Sequence, residues 1–148
     1  MSQPPVATTQ TLELRRTYQA SPERLFAAWT DPQLLNQWFR PNPALTTKTA
    51  VDLQQGGRYR IEMHRSEGEP YVVIGQYELI DKPHKLTFSW QWAHEEVKSL
   101  VTVEFKPLTE QSTEIILTHE QLVDEEDKNN HKEGWLGCYD RLEEFISS

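Results

Sequence analysis

The spacing of the apolar residues changes from alternating to helical after about residue 120, and that change limits the possible folds more than any other feature. Between about residues 45 and 120, apolar side chains recur at every second position, as at Tyr59, Ile61 and Met63. This period predicts strands with one buried face, and short turns separate six such segments. After residue 124 the spacing becomes helical. The pattern therefore predicts an antiparallel sheet followed by one long helix.

The first third of the chain adds one strand and two short helices to this prediction. Residues 11–18 alternate and predict a strand. Ser21-Pro22 and Asp31-Pro32 each place a capping side chain before a proline, which is a common start of a helix. Since the chain shows no internal repeat and no break, we expect a loose tail over residues 1–10 and a single domain over residues 11–148.

Charge and composition exclude several classes of protein. The 148 residues include 15 Lys+Arg and 23 Asp+Glu, a net charge of −8, and no basic run. This balance disfavours a nucleic-acid partner. No apolar run approaches the roughly 20 residues of a membrane span. Cys138 is the one cysteine and no secretory signal is visible at the N-terminus, so we expect a cytoplasmic protein.

Seven short motifs resemble a single protein family when they are taken together. They are ASPERLFAAWTDP at residues 20–32, LNQWFRP at 35–41, GGRYR at 56–60, GQYE at 75–78, KLTFSW at 85–90, LTH at 117–119 and GW at 134–135. In this order they resemble the SRPBCC/START-like superfamily and, more narrowly, the domain family of activator of heat-shock-protein-90 ATPase homologues (AHSA1-like). The resemblance covers nearly the whole chain, from about residue 12 to residue 146.

The resemblance implies an α+β fold of the helix-grip (START/Bet v 1-like) type. In that fold a curved antiparallel β-sheet wraps around a long C-terminal helix, two short helices follow the first strand, and an apolar cavity lies between sheet and helix. It does not imply one activity. Members of the family are linked to co-chaperone work in the stress response, to small-ligand binding and to aromatase or cyclase chemistry, and a shared fold cannot choose among these.

The candidate ligand-binding residues lie on the inward faces of the predicted strands and on the apolar face of the last helix. They are Tyr59, Ile61, Met63, Tyr77, Phe88, Trp90, Trp92, His119, Trp135, Cys138, Tyr139 and Leu142. The polar atoms of such a site would come from Tyr59, Tyr77, Trp90 and His119. The alternative interpretation is that these residues belong to the hydrophobic core and line no cavity, because stripes of apolar residues usually pack against one another.

Trp135 would distinguish a cavity wall from core. If it is packed core, Trp135→Ala should lower the free energy of unfolding by about 3–5 kcal/mol. If it walls a cavity, the loss should be smaller, about 1–2 kcal/mol, because fewer contacts are removed. We expect the second pattern.

His119 and Cys138 are the residues closest to a catalytic interpretation. His119 is in phase with inward residues, and a buried, hydrogen-bonded histidine is favoured over an acid/base role. Cys138 is favoured as an inert apolar residue over a nucleophile. The five histidines lack metal-ligand spacing, and no phosphate loop or dinucleotide fingerprint occurs. We therefore expect no metal and no cofactor.

Two function classes follow, with an enzyme third. The first is non-catalytic binding of a small hydrophobic or amphipathic ligand in a cavity between the sheet and the C-terminal helix. The alternative is a co-chaperone-like interaction module that binds a chaperone. A cyclase- or aromatase-like enzyme ranks below both because no acid, base and nucleophile set can be assembled. We expect a monomer or a homodimer, and exposed parts of Trp38-Phe39 would offer a dimer surface.

Overall fold

The computed structural model describes residues 9–148, and its order of elements is the predicted one. The strands are β1 (Gln10–Tyr18), β2 (Thr46–Val51), β3 (Arg58–His64), β4 (Tyr71–Asp81), β5 (Lys85–Trp92), β6 (Ser99–Thr109) and β7 (Ser112–Leu122), and the helices are α1 (Pro22–Thr30), α2 (Pro32–Trp38) and α3 (Glu125–Ser147). The predicted α+β helix-grip fold is confirmed. Most of the tail expected over residues 1–10 lies outside the described residues, and Gln10 already belongs to β1.

All seven strands form one curved antiparallel sheet in the order β1-β7-β6-β5-β4-β3-β2. Strands β2 to β7 form a meander of neighbours in sequence. Strand β1 pairs with β7, with Leu14 opposite Leu117, so β1 and β2 lie at opposite edges. Helices α1 and α2 carry the chain from one edge to the other.

The helix starts follow from capping side chains. The Ser21 hydroxyl accepts a hydrogen bond from the backbone N–H of Arg24, and the Asp31 carboxylate accepts one from Gln33. Asp124 caps α3 in the same way, accepting from the N–H of Asp127 at 2.8 Å. Each cap satisfies an N–H that the first turn leaves free.

Helix α3 lies across the concave face of the sheet and is fixed there by two tyrosines. The Tyr18 hydroxyl donates to the carbonyl of Tyr139 at 2.9 Å, and the Tyr139 hydroxyl donates to the carbonyl of Leu14 at 3.0 Å. A side chain at Gly137 would collide with the carbonyl of Pro41, so this glycine lets α3 approach the loop after α2.

One detail differs from the expectations. Trp38 and Phe39 are both buried, so the dimer surface expected from them is wrong. Both pack with Trp29, at 5.0 and 6.2 Å between ring centroids. Within residues 9–148 no helix has the length and apolar character needed to cross a bilayer.

Candidate functional site

The interior between sheet and helices has two ends that differ in how well they are filled. We call the first the closed end, formed by Tyr59, Tyr77 and Phe88 from the sheet with Trp29 and Leu35 from the short helices. Only about 20 Å³ of space remains there, room for about one water molecule. This end is ordinary packed core.

The second, which we call the open end, encloses a pocket of about 290 Å³ between β3, β5, the loop after α2 and the first half of α3. Its lining residues are Phe39, Pro41, Met63, Trp90, Trp92, Glu95, Asp127, Asn130, His131, Gly134, Trp135 and Cys138. Glu95 and Asn130 are exposed and mark the mouth, whereas Met63, Trp90 and Trp135 are buried. This volume lies at the lower end of the roughly 300–1,000 Å³ typical of small-molecule sites.

Glycines account for part of the difference between the two ends. Gly75 on β4 lies opposite Tyr59, whose ring occupies the place of the missing side chain. At Gly134 on α3, by contrast, a side chain would meet nothing within 4 Å. The open end therefore keeps space because one position of its helix wall carries no side chain.

His119 lies behind the pocket wall in a fully hydrogen-bonded arrangement. The Trp135 indole donates to His119 Nδ1 at 3.0 Å, so the ring carries its hydrogen on Nε2, which donates to the Ser99 hydroxyl at 2.7 Å. Burial, together with a smaller contribution from the nearby His131, lowers the pKa of His119 to about 3. His119 is thus a neutral ring that orients Trp135, and this state does not suit a general base at neutral pH.

His131 and Trp90 carry polar atoms that the protein leaves unused. His131 Nδ1 lies 2.9 Å from the Asp127 carbonyl oxygen and 3.1 Å from its carboxylate, and both are acceptors. Nδ1 therefore holds a hydrogen, which leaves Nε2 as an acceptor whenever the ring carries a single hydrogen. Neither His131 Nε2 nor Trp90 Nε1 has a hydrogen-bond partner within the described residues. Such buried polar atoms are uncommon and need an explanation.

The structure distributes the sequence-predicted site residues over three environments. Those lining the open-end pocket are Met63, Trp90, Trp92, Trp135 and Cys138. Those bordering the small void of the closed end are Tyr59, Ile61, Tyr77 and Phe88. His119 lies behind Trp135, and Tyr139 and Leu142 line neither space and are fully buried.

Several pocket residues were not among the candidates: Phe39, Pro41, Glu95, Asp127, Asn130, His131 and Gly134. His131 could have been found, because it precedes Trp135 by four residues and shares its helix face. Phe39 and Pro41 follow the end of α2, where no periodic pattern applies. Asp127 lies in the acidic first turn of α3, a pattern that by itself indicates a helix start and not a binding site.

Cys138 lines the pocket but is buried, and burial raises the pKa of its thiol far above the ordinary value. It therefore stays protonated, which supports the inert interpretation over a nucleophile.

Within residues 9–148 no group of three or more His, Cys, Asp or Glu side chains is arranged to hold a metal ion. A larger depression of about 390 Å³ lies on the outer surface, near His84 and Leu108. Most of its lining residues are exposed, so it is an open surface feature and not an enclosed site.

The chain is similar to solved structures over almost its full length. The AHSA1 protein of Silicibacter pomeroyi is 29% identical, with a TM-score of 0.81 over 93% of this chain and 98% of that one. A protein of Chromobacterium violaceum shares the fold at 22% identity, with a TM-score of 0.83 over 93% and 98% of the two chains. An HSP90 activator from Plasmodium falciparum is 29% identical, with a TM-score of 0.60 over 76% of this chain and 73% of that one. No curated protein matches the sequence.

A family model supplies the assignment that individual structures do not. The model described as "Activator of Hsp90 ATPase homolog 1-like protein" matches residues 19–147, from the end of β1 to the last turn of α3. That span contains both ends of the interior and the whole pocket lining. The protein is therefore a member of the Activator of Hsp90 ATPase homolog 1-like family.

Proposed function

We propose that this protein binds a small, largely apolar molecule in the open-end pocket without transforming it. The observation that carries the proposal is a pocket of about 290 Å³ walled by buried aromatic rings, in an interior whose other end is filled. Small-molecule sites are mostly apolar concavities with a few convergent polar groups. The pocket has this character, since Trp90 and His131 add two polar atoms to an apolar wall.

The chemistry of the lining supports binding over catalysis. His119 is neutral and engaged on both ring nitrogens, and Cys138 is held as a thiol by burial. Neither side chain is available as a nucleophile or a base. Residues 11–148 would act as one unit in this function, because the walls come from the sheet, α3 and the loop after α2.

The test is binding of N-phenyl-1-naphthylamine, a neutral probe whose fluorescence rises in apolar surroundings. We expect saturable binding with one probe per chain. Gly134→Leu should weaken it at least about tenfold, because the new side chain points into the pocket. The matched control is Glu133→Leu, which adds the same side chain at the neighbouring exposed position. Equal affinity in all three proteins would contradict the proposal.

A second candidate function is supported by the likeness to the HSP90 activator of Plasmodium falciparum. In this case the chain would contact an Hsp90-type chaperone and raise its ATPase rate. The assay compares the ATPase rate of such a chaperone with and without a molar excess of this protein. Stimulation that survives Gly134→Leu would assign the effect to the outer surface, and no stimulation would remove this candidate.

A further inference from the structure

We infer that the ligand of the open-end pocket is a neutral aromatic molecule bearing a hydroxyl group that lies between Trp90 and His131. This inference rests on the proposed function and specifies its ligand. Its basis is the pair of buried polar atoms without partners, on two side chains that line both the pocket and the recess of about 70 Å³ beside it.

The two atoms require opposite hydrogen-bonding roles from a ligand. Trp90 is 6% exposed, and its indole Nε1–H can only donate. The His131 side chain is 10% exposed and its Nδ1–H is held by Asp127, so Nε2 accepts when the ring carries that single hydrogen. A hydroxyl accepts one hydrogen bond and donates another, so it can serve both atoms, whereas an ether or a ketone serves only Trp90. Their ring centroids lie 6.3 Å apart, and both side chains line the same pocket.

The carboxylates around the pocket disfavour an acidic ligand. The described lining contains no Lys or Arg, and its charged members are the carboxylates of Glu95 and Asp127. A carboxylate or phosphate would meet these two acidic groups with no cation to offset them. The remaining wall is aromatic, with Trp90 and Trp135 at 5.0 Å and Phe39 and Trp135 at 5.7 Å between centroids. Flat rings pack well against such a wall.

The experiment compares four two-ring compounds by titration calorimetry at neutral pH: 2-naphthol, 2-methoxynaphthalene, naphthalene and 2-naphthoate. We expect 2-naphthol to bind about tenfold tighter than naphthalene, since it pairs two polar atoms that naphthalene leaves unpaired. 2-Methoxynaphthalene should fall below 2-naphthol because it cannot donate to His131. 2-Naphthoate should bind weakest.

Variants of Trp90 and His131 test whether these two side chains cause the preference for 2-naphthol. Trp90→Phe and His131→Phe should each remove most of the preference for 2-naphthol over naphthalene. Trp29→Phe is the matched control, because Trp29 Nε1 also lacks a partner but borders the closed end. It should leave the preference unchanged.

The outcomes separate this inference from the proposed function. Equal affinity for the three neutral compounds, or tightest binding of 2-naphthoate, overturns the hydroxyl inference and leaves the proposed function standing. Binding of none of the four overturns the proposed function and this inference with it. The comparison among ligands uses the unaltered protein, so it decides the question even if a variant fails to fold.

Discussion

The two ends of the interior are built from the same kind of side chain, yet only one contains a pocket. At the closed end the Tyr59 ring covers Gly75 and packs against Tyr77 and Phe88, with centroids 5.6 and 5.5 Å away. At the open end Trp90 and Trp135 also touch, but the space beside Gly134 is unfilled. Aromatic content therefore does not indicate a binding site by itself; the pocket lies where no neighbouring ring fills the place of a missing side chain.

Strand β5 shows how local this difference is. Phe88 belongs to the closed end, and Trp90, two residues later on the same face, belongs to the open end. The strand is continuous, so the backbone of the sheet does not create the pocket. The opposite wall decides, because Trp29 and Leu35 cover Phe88 whereas Gly134 faces the pocket beside Trp90.

The largest expected effect comes from truncating one ring at each end. Trp135 is 2% exposed and packs on Trp29, Phe39 and Trp90, so we now expect Trp135→Ala to cost about 3–5 kcal/mol, more than a thin cavity wall would. Tyr59→Ala should cost a similar amount. Urea denaturation measures both losses, which a domain with about 5–15 kcal/mol of stability can survive.

The two ring truncations should differ in binding rather than in stability. Affinity for N-phenyl-1-naphthylamine per folded molecule should fall in Trp135→Ala and stay unchanged in Tyr59→Ala. A fall of equal size in both variants would mean that the ends are not independent.

A second prediction compares two glycines on one turn of α3. Gly137→Ala should cost about 1–3 kcal/mol, because its side chain collides with the rigid carbonyl of Pro41. Gly134→Ala should instead gain up to about 1 kcal/mol of helix propensity, since nothing opposes the methyl group. Thermal unfolding measures both. Destabilisation by Gly134→Ala would show that the pocket wall is tighter than described.

A third prediction concerns the stability of the folded protein at acidic pH. Unfolded histidine titrates near pH 6.5, whereas burial keeps the pKa of His119 at about 3 in the folded protein. Between these values only the unfolded state binds this proton, so stability is retained above pH 6.5 and declines as the pH falls towards 3. From pH 7.5 to pH 5.0 His119 should account for a loss of about 2 kcal/mol.

The control for the acid effect is His119→Gln, which keeps hydrogen-bonding capacity but does not titrate. Urea denaturation of both proteins at pH 7.5 and pH 5.0 isolates the contribution of His119, because the other titrating groups are common to both. An identical loss in the two proteins would contradict the neutral, buried assignment.

The smallest expected effect is that bound ligand protects the Cys138 thiol from chemical labelling. The thiol is buried at the pocket wall, so a thiol reagent should label the native protein slowly. Ligand at about ten times its Kd should slow labelling about tenfold, if labelling requires opening of the unliganded state. Rapid labelling that ligand does not change would place the thiol outside the site.

The sequence predicted the fold well because its signals are local. Alternation identified the strands, and Ser21 and Asp31 before prolines marked the helix starts. The pocket depends on contacts between distant segments instead. Gly134 and Gly137 look equivalent in the sequence, yet one faces the pocket and the other a carbonyl in the loop after α2. Phe39 was expected at the surface and lies buried in the pocket wall, since no local pattern follows the end of α2.

The central claim, that ligand enters the open end and not the closed end, is tested most directly by the indole N–H signals of the five tryptophans in a ¹H–¹⁵N spectrum. Single Trp→Phe variants assign the signals. On saturation with N-phenyl-1-naphthylamine, the signals of Trp90 and Trp92 should shift most, while that of Trp38, whose indole donates to Ala28 at 2.9 Å, stays in place. The largest shift at Trp29, which borders the closed end, or no shift at all would contradict the account.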